Sequence, residues 1–307
     1  MFTTSLRKLR LPGRGRRTSK VIGLASTLVA VAAAVLVGPV PASAAVPGLV
    51  YVTAASEFDS TVYKSVQVFC PAGTQVVGGS YELVGAEGSV VLDDFIPFVG
   101  SLRVAAGEVV GPGERSDGTT ESWQVRGTAV CANTPAGYTI VSSTSTFTSG
   151  KARAARVFCP AGTVAIGAGS SLANGFGQIS LADMENFGTS VQAIAVDDED
   201  GYSGSWSVTA YAICGVGLPG LHVVVGTSGT DSSFVKVATA SCPAGQVVIG
   251  AGWSVFLAGT TVAEQLLNIH ATVNGGTDPG VTGLASEDSD QYSGNWRFNA
   301  YATCANA

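Results

Sequence analysis

One unit occurs three times in this chain of 307 residues, and it constrains the fold more than any other feature. Each copy has a Cys-Pro-Ala-Gly motif, a Gly eight residues after that first Cys, a later Trp, and a second Cys eight residues after the Trp. The copies cover residues 48–136, 137–219 and 220–307. Self-similarity at fixed spacings is the signature of a repeat architecture. We therefore predict three pseudo-equivalent units, which leave no room for a separate catalytic domain.

Two segments of each unit have the alternation of a half-buried strand. The segment that begins at the Trp, such as "WSVTAYAIC", places Trp, Val, Ala, Ala and Cys on one face. Strand side chains alternate between faces, so this pattern predicts a buried Trp-to-Cys face, whereas a helix would scatter these residues around its axis. A second strand ends at the first Cys, and Pro-Ala-Gly then forms a turn. The paired glycines after that turn predict a β-bulge or a close backbone approach.

Six cysteines in an exported chain predict three disulfides. Two pairings respect the threefold pattern. The first joins cysteines within repeats: Cys70–Cys131, Cys159–Cys214 and Cys242–Cys304. The second joins successive repeats: Cys131–Cys159, Cys214–Cys242 and Cys304–Cys70. We favour the first, because cysteines at the ends of two inward-facing strands can join neighbours of one sheet or sandwich.

The predicted fold class is all-β, with three disulfide-linked antiparallel units. The units either pack as one three-fold β-prism or follow one another as tandem domains. We expect neither structural zinc nor a nucleophilic Cys, since no Cys-x-x-Cys occurs and the two histidines, His222 and His270, do not recur across the units. No cofactor is expected.

The first 44 residues have the composition of a signal peptide. Residues 1–20 contain seven basic residues and no acidic one, and an uncharged apolar run follows. Ala42 and Ala44 have the small side chains that a signal peptidase requires. We predict cleavage after Ala44 and a secreted, extracellular product. A retained transmembrane anchor is the alternative, since about 20 apolar residues can span a bilayer.

The predicted mature chain is strongly acidic. All 22 acidic residues but only nine of the 16 basic residues follow Ala44, which gives a net charge of −13. An acidic surface repels phosphate backbones, so we expect no nucleic-acid partner. No second apolar run approaches spanning length, so we expect no membrane partner after cleavage. The sequence leaves the oligomeric state open.

Acidic residues provide two kinds of candidate chemistry. Asp198 with Asp200, and Asp288 with Asp290, have the alternate spacing of calcium-loop ligands, although the complete calcium-loop pattern is absent. A solvated hairpin loop is the simpler interpretation of these four residues, and we favour it. Acid pairs at Asp93–Asp94 and at Asp183 with Glu185 raise the possibility of a glycosidase, which uses two carboxylates at a set separation. Exposed acids on an acidic surface are the alternative reading of these pairs.

No nucleophile elbow, phosphate-binding loop or zinc-protease motif occurs in the sequence. We therefore assign no catalytic residue and no metal ligand beyond the weak calcium candidates. Aromatic residues are the stronger candidates for ligand contacts. Trp253 occurs in one unit only and is the candidate for an exposed contact. Tyr202 and Tyr292, in the acidic turns, are candidates for stacking on sugar rings.

The pattern of "CPAG", a Gly-rich strand, and a Trp strand that ends in Cys resembles secreted repeat proteins of actinobacteria. The resemblance covers all three units, from Gly48 to the end of the sequence. It implies export and within-repeat disulfides rather than a particular activity, because most of those relatives have no assigned function. The turn "CPAG" is also similar to the Cys-Pro-x-Gly turns of vitelline membrane outer layer protein I, a β-prism. That looser likeness concerns architecture alone.

Repeated units offer repeated binding sites, and multivalent weak contacts suit polymers. We therefore expect a non-enzymatic binding or cell-surface protein whose partners are extracellular glycans or cell-wall polymers. The first alternative is a purely structural extracellular or spore-coat component. The second alternative is a glycan-active hydrolase.

Overall fold

The computed structural model describes residues 45–85, 88–109, 121–175, 177–197, 201–257, 268–274, 278–287 and 292–307. The predicted signal peptide lies outside these residues. The regular structure within them is β-strand throughout, which confirms the all-β prediction.

Six strands fall in each repeat. The first repeat contains β1 (Val50–Ala55), β2 (Tyr63–Phe69), β3 (Thr74–Val84), β4 (Val90–Phe98), β5 (Ser101–Glu108) and β6 (Gln124–Asn133). The second contains β7 (Thr139–Thr144), β8 (Ala152–Phe158), β9 (Val164–Ala173), β10 (Ile179–Asn186), β11 (Ser190–Asp197) and β12 (Ser207–Gly215). The third contains β13 (His222–Thr227), β14 (Val235–Ser241), β15 (Gln246–Leu257), β16 (Asn268–Asn274), β17 (Gly280–Ser286) and β18 (Trp296–Asn306).

The strands form three six-stranded antiparallel sheets, and each sheet takes three strands from each of two repeats. Sheet I, from the first and second repeats, has the order β2-β5-β4-β9-β12-β7. Sheet II, from the second and third, has the order β8-β11-β10-β15-β18-β13. Sheet III, from the third and first, has the order β14-β17-β16-β3-β6-β1. No repeat completes a sheet alone, so the three repeats are interlocked. The three-fold β-prism stays a prediction.

The strand register separates two ends of the sheets. Phe69, at the end of β2, pairs with Ser101 at the start of β5, and Thr74 at the start of β3 pairs with Asn133 at the end of β6. The Pro-Ala-Gly turns, the short hairpins and the disulfides therefore lie at one end, which we call the turn end. The opposite strand ends, such as Tyr63 of β2 and its partner Gly107 of β5, define the loop end.

The inner faces of the sheets share one core. Trp123, Trp206 and Trp296 are fully buried, and so are the alternate residues that follow each of them as far as the second Cys. This burial agrees with the predicted Trp-to-Cys face. The alternation fixes which face is apolar, and burial of that face supplies the main stabilisation of the sheets.

A basic side chain covers each of these three tryptophan rings. Lys64 Nζ and Lys236 Nζ lie 5.1 Å from the ring centroids of Trp123 and Trp296, and the Arg153 guanidinium lies 5.4 Å from that of Trp206. Lys64 and Lys236 are buried and pair with Asp59 and Asp231. Cation–π contacts of this kind stabilise a desolvated cation. Two of the few lysines are thus withdrawn from the surface, which leaves that surface more acidic.

At the paired glycines the structure shows both of the features that the sequence predicts, a β-bulge and a close backbone approach. The register of β3 against β6 shifts between Val76 and Gly78, which marks a bulge. At the same point the backbones of neighbouring repeats come very close, because a methyl group on Gly78 would overlap the carbonyl oxygen of Ile249. A methyl group on Gly167 would overlap the carbonyl oxygen of Val77 in the same way.

The structure contains the three within-repeat disulfides, Cys70–Cys131, Cys159–Cys214 and Cys242–Cys304. Each one joins two different sheets rather than neighbours in one sheet. Cys70 follows β2 of sheet I, for example, and Cys131 lies in β6 of sheet III. The disulfides indicate that the chain folds in an oxidising compartment. In the part of the chain that the structure describes, no helix has the length and hydrophobicity needed to cross a membrane.

Candidate functional site

Trp253 is not an exposed contact, and its assignment as a surface ligand residue is wrong. Its side chain is fully buried, its Nε1 donates a hydrogen bond to Leu181 O at 2.9 Å, and its ring meets Tyr81 edge-on at 5.3 Å between centroids. The residue occupies the inward phase of β15, where Tyr81 and Ser170 stand in the other two repeats. The Trp253 ring, which occurs in one repeat only, therefore fills core volume that the smaller residues at the equivalent positions do not fill.

Tyr202 and Tyr292 are half-buried and pack against the core and against their own turns. A methyl group on Gly204 would overlap the Tyr202 ring, and the same relation holds between Gly294 and Tyr292. Each ring therefore has one side covered by a glycine, and stacking on sugar rings stays a prediction. The calcium candidates Asp198, Asp200, Asp288 and Asp290 lie outside the described residues. Within the described ranges no group of three or more His, Cys, Asp or Glu side chains is arranged to hold a metal ion.

An exposed pair of phenylalanines marks the outer face of sheet I at the turn end. Phe69 of β2 and Phe98 of β4 each pair with Ser101 of β5, so the two rings flank one small residue. Phe69 is 66% exposed and Phe98 is 43% exposed, whereas Ser101 is buried between them. Gln67 Nε2 donates a hydrogen bond to Ser101 Oγ at 3.0 Å. We call Phe69, Ser101 and Phe98 the first aromatic row.

The second repeat has a matching row on the outer face of sheet II. Phe158 pairs with Ser190, and Phe187 N donates to Ser190 O at 2.9 Å. The exposures, 64% for Phe158 and 43% for Phe187, are close to those in the first row. Arg156 takes the place of Gln67: its Nε donates to Ser190 Oγ, and its guanidinium lies 5.3 and 4.5 Å from the two ring centroids. Phe158, Ser190 and Phe187 form the second aromatic row.

The third repeat lacks this feature. Ser241 and Asn274 flank Gly280 at the equivalent register position. The aromatic rows are therefore not a requirement of the repeat fold, since one repeat forms the same strand pairing without them. Exposed phenylalanines that the fold does not need are candidates for contacts with a partner.

The predicted pair Asp93–Asp94 divides between two environments. Asp94 lies on the outer face where the first and second repeats join, in register with Ser171, and forms an ion pair with Arg103 at 3.3 Å. Burial, together with the neighbouring Asp93, raises the pKa of Asp94 to about 6. Asp93 instead accepts a hydrogen bond from the Tyr63 hydroxyl at 3.0 Å. The two carboxylates therefore do not face one common position, as the pair of carboxylates of a glycosidase would.

Asp183 and Glu185 share the outer face where the second and third repeats join. Asp183 is in register with Ser254, and burial, reinforced by the charge of Glu185, raises the pKa of Asp183 to about 8. Asp183 Oδ1 is buried and has no hydrogen-bond partner among the described residues. At neutral pH this side chain is mainly a carboxylic acid, which can donate as well as accept a hydrogen bond.

Tyr301 connects the polar groups of this junction. Its hydroxyl lies 2.9 Å from Ser254 Oγ, accepts from Asn299 Nδ2 at 3.3 Å, and also bonds to Glu185. Tyr211 and Ser171 form the equivalent contact at 3.3 Å in sheet I. Each of these two junctions therefore combines a carboxyl, a tyrosine hydroxyl and a serine hydroxyl on the outer face of a sheet, where Asp94, Ser254 and Tyr301 are nevertheless buried.

Comparison with known proteins does not assign this site. No protein-family model matches the chain, and no curated protein matches it significantly. The arrangement must therefore be judged by its own chemistry. Exposed aromatic rings with an amide or guanidinium group and a serine hydroxyl beside them, as in the two rows, can pack against apolar ring faces and hydrogen-bond to a polyhydroxylated ligand.

Sequence reasoning missed the aromatic rows, although a signal was present. In "KSVQVFC", Val66 and Val68 mark the inward phase of β2, so Phe69 must point outward. A large apolar residue on the outward phase is unusual and recurs at Phe158. The partners Phe98 and Phe187 could not be identified in this way, because their position depends on which strands pair.

Proposed function

We propose that this is an exported, non-enzymatic protein that binds glycan or cell-wall polymers through the outer faces of its first and second repeats. The observation that carries the proposal is the pair of matched aromatic rows, Phe69–Phe98 and Phe158–Phe187, on two different sheets. Their exposure is the same in both repeats, and the third repeat shows that the fold does not require them.

The geometry of each row suits an extended polysaccharide. The two phenylalanines of a row stand on strands separated by one other strand, which places them about 10 Å apart on the sheet. That spacing is close to one disaccharide repeat of an extended β-linked chain. Sugar rings present C–H groups that pack on aromatic faces. Gln67 and Arg156, which lie next to the serine of each row, can hydrogen-bond to the hydroxyl groups of the sugar. Two rows on one molecule also permit avidity.

Pull-down of the purified mature protein by insoluble chitin, cellulose and peptidoglycan tests the proposal. We expect binding to at least one polymer, a partial loss when either row is changed to Ala, and a loss of at least about tenfold when all four phenylalanines are changed, because avidity disappears. Phe256→Ala is the matched control, since Phe256 is an exposed phenylalanine beside Arg297 at 4.6 Å but lies outside both rows. Full retention by the fourfold variant would contradict the proposal.

The hydrolase alternative has one observation in its favour, the raised pKa of Asp183 beside Glu185. A carboxylic acid that stays protonated near neutral pH is what a general acid requires. Release of reducing ends from a bound polymer, abolished by Asp183→Asn, would replace the non-enzymatic proposal. Absence of binding to every polymer would instead favour a structural extracellular component.

Export depends on the predicted signal peptide. Expression of the full sequence in a secreting bacterial host, followed by N-terminal sequencing of the medium fraction, should give a chain that begins at Ala45. A chain retained in the membrane fraction with residues 1–44 intact would favour the anchor alternative.

A further inference from the structure

A cavity of about 560 Å³ lies at the loop end of sheet I, where the first and second repeats meet. Its walls are mainly apolar and include Val91 and Leu92 of β4 and Leu172 and Ile179 of the second repeat. Small-molecule sites in proteins occupy about 300–1,000 Å³ and combine apolar walls with a few polar groups. The cavity is at the opposite end of the sheet from the first aromatic row.

A β-bulge brings Asp93 into the wall of this cavity. The register of β4 against β5 shifts between Leu92 and Asp94, so Asp93 is the extra residue. Bulges redirect side chains and are frequent beside functional sites. β10 has the same shift between Leu181 and Asp183, and its extra residue is Ala182. Of these two equivalent bulges, only the one that borders the cavity carries a carboxylate.

Asn174 adds a further polar residue to the lining, which also includes Tyr63 and a second carboxylate, Glu108. Asn174 is the sole non-glycine residue with a positive φ, +63°, in the described part of the chain. Gly85, with φ +79°, holds the equivalent place in the first repeat. Glycine suits this backbone without strain, whereas Asn adopts it at a cost. Residues from two different repeats thus depart from the repeat pattern, and both line one cavity, Asp93 as a half-buried residue and Asn174 as an exposed one.

The polar groups of the cavity favour a cation. Asp93 accepts its hydrogen bond from Tyr63, which leaves further acceptor positions on the carboxylate. Burial raises the pKa of Asp93, a cost that a bound cation would offset. Neither lysine nor arginine lines the cavity in the described ranges. The Asn174 amide oxygen is a further acceptor for an ammonium group.

We propose that this cavity binds a small apolar amine, with the ammonium group at Asp93 and Asn174 and the hydrocarbon part between Leu92 and Leu172. This site is separate from the aromatic rows, so the proposal does not depend on glycan binding. The size of the cavity and the apolar walls select for the hydrocarbon part, and the carboxylate selects for the charge.

Titration calorimetry of the full mature chain tests the proposal with three probes of similar size: 3-phenylpropylamine, 3-phenylpropan-1-ol and 3-phenylpropanoate. We expect the amine to bind at least about tenfold more tightly than the alcohol, because a hydrogen bond between charged groups is stronger than one between a charged and a neutral group. The carboxylate should not bind. Equal affinity for the amine and the alcohol, or no binding of the amine, would overturn the proposal.

Variants locate the site. Asp93→Asn keeps an acceptor for Tyr63 but removes the charge, and should reduce amine affinity about tenfold while leaving the alcohol unchanged. Asn174→Gly relieves the backbone and removes only the amide, so it should weaken amine binding without lowering the melting temperature. Leu172→Trp should fill the cavity and abolish binding of both probes. Glu57→Gln, which removes an exposed carboxylate of the same repeat, is the control. Unchanged amine binding in Asp93→Asn and Asn174→Gly would refute the assignment.

Discussion

At the scale of single residues, Trp253 shows how the repeats divide the work of filling one core. Its place is taken by Tyr81 in the first repeat and by Ser170 in the second, and the three side chains differ greatly in volume. Ser170 is fully buried and lies in register with Phe95, and its Oγ lies 3.6 Å from Met184 Sδ. Large and small side chains thus complement one another across the core. The fold constrains their total volume rather than the volume at each position.

Trp253→Ala should therefore be a stability variant and not a binding variant. We expect a loss of about 3–5 kcal/mol in the free energy of unfolding, from the cavity and from the unpaired Leu181 carbonyl. Denaturant titration of the disulfide-intact protein measures this loss. Trp253→Phe, which keeps much of the ring volume, should cost less. A Trp253→Ala protein of unchanged stability would show that the ring is not core.

Asp183 should make stability depend on pH. Its ordinary pKa is 3.8, and burial raises the pKa to about 8 in the folded protein. The unfolded chain therefore releases this proton at lower pH than the folded chain, so the contribution of Asp183 to stability falls as pH rises from about 4 to about 8. The asparagine side chain in Asp183→Asn stays neutral throughout that range, so its contribution to stability does not decrease as the pH rises.

The melting temperature of Asp183→Asn relative to the original protein should thus be higher at pH 8 than at pH 4. The expected change is at least about 2–4 °C, the effect of 1 kcal/mol in a chain of this size. Calorimetric scans at the two pH values measure it. The same difference at both pH values would mean that Asp183 ionises normally in the folded state.

At the scale of elements, the closest contacts between repeats are backbone to backbone. Gly78 and Gly250 occupy equivalent places in β3 and β15, yet their surroundings differ. A methyl group on Gly78 would overlap Ile249 O, whereas one on Gly250 would have its nearest neighbour, the Gly78 Cα, at 3.8 Å. The repeats are therefore equivalent in sequence but not in packing at this point.

This difference allows a matched pair of variants. Gly78→Ala should lower the free energy of unfolding by several kcal/mol or prevent folding, because two backbones would have to separate. Gly250→Ala should change it by less than about 1 kcal/mol, because the added methyl group would meet its neighbours at ordinary van der Waals distance. Thermal unfolding of both variants, with yield of the folded protein as a second measure, decides the matter. Equal effects would contradict the close approach at Gly78.

The elements also show what the sequence can and cannot predict. The alternation from Trp123 to Cys131 predicts the strand and its buried face, because both depend on local periodicity. It does not predict that β4 pairs with β9 of the next repeat, because alternation identifies a face but not a partner. The aromatic rows and the cavity depend on that partner, so neither could be predicted from the sequence.

At the scale of the whole molecule, the three repeats form a closed cycle. The amide of Val46 donates to Asn306 O at 3.2 Å, so the start of the first repeat meets the end of the third. Two similar bonds join the end of a repeat to the residue just before its own start, from Asn133 N to Pro47 O and from Asn306 N to Pro219 O. The third and first repeats thus meet through this hydrogen bond and through sheet III, without a covalent link.

A circular permutant tests this closure. A short linker from residue 306 to residue 46, with new ends between Gly217 and Leu218, should give a folded protein that melts within about 5 °C of the original, since permutation is tolerated where ends lie close together. A permutant opened between Ala168 and Gly169, inside β9, is the control and should not fold. Failure of the first permutant would contradict the closed cycle.

The closure of sheet III also sets a delay during synthesis. The amide of Val273 donates to Ser80 Oγ, and 193 residues separate the two. At about 5–20 residues per second, the ribosome makes β16 roughly 10–40 s after β3. Throughout that interval β3 lacks its neighbour β16 and has an open hydrogen-bonding edge. An edge of this kind can pair with other chains. The unfinished chain therefore exposes a strand edge that the finished protein covers, and it is more prone to pair with other chains.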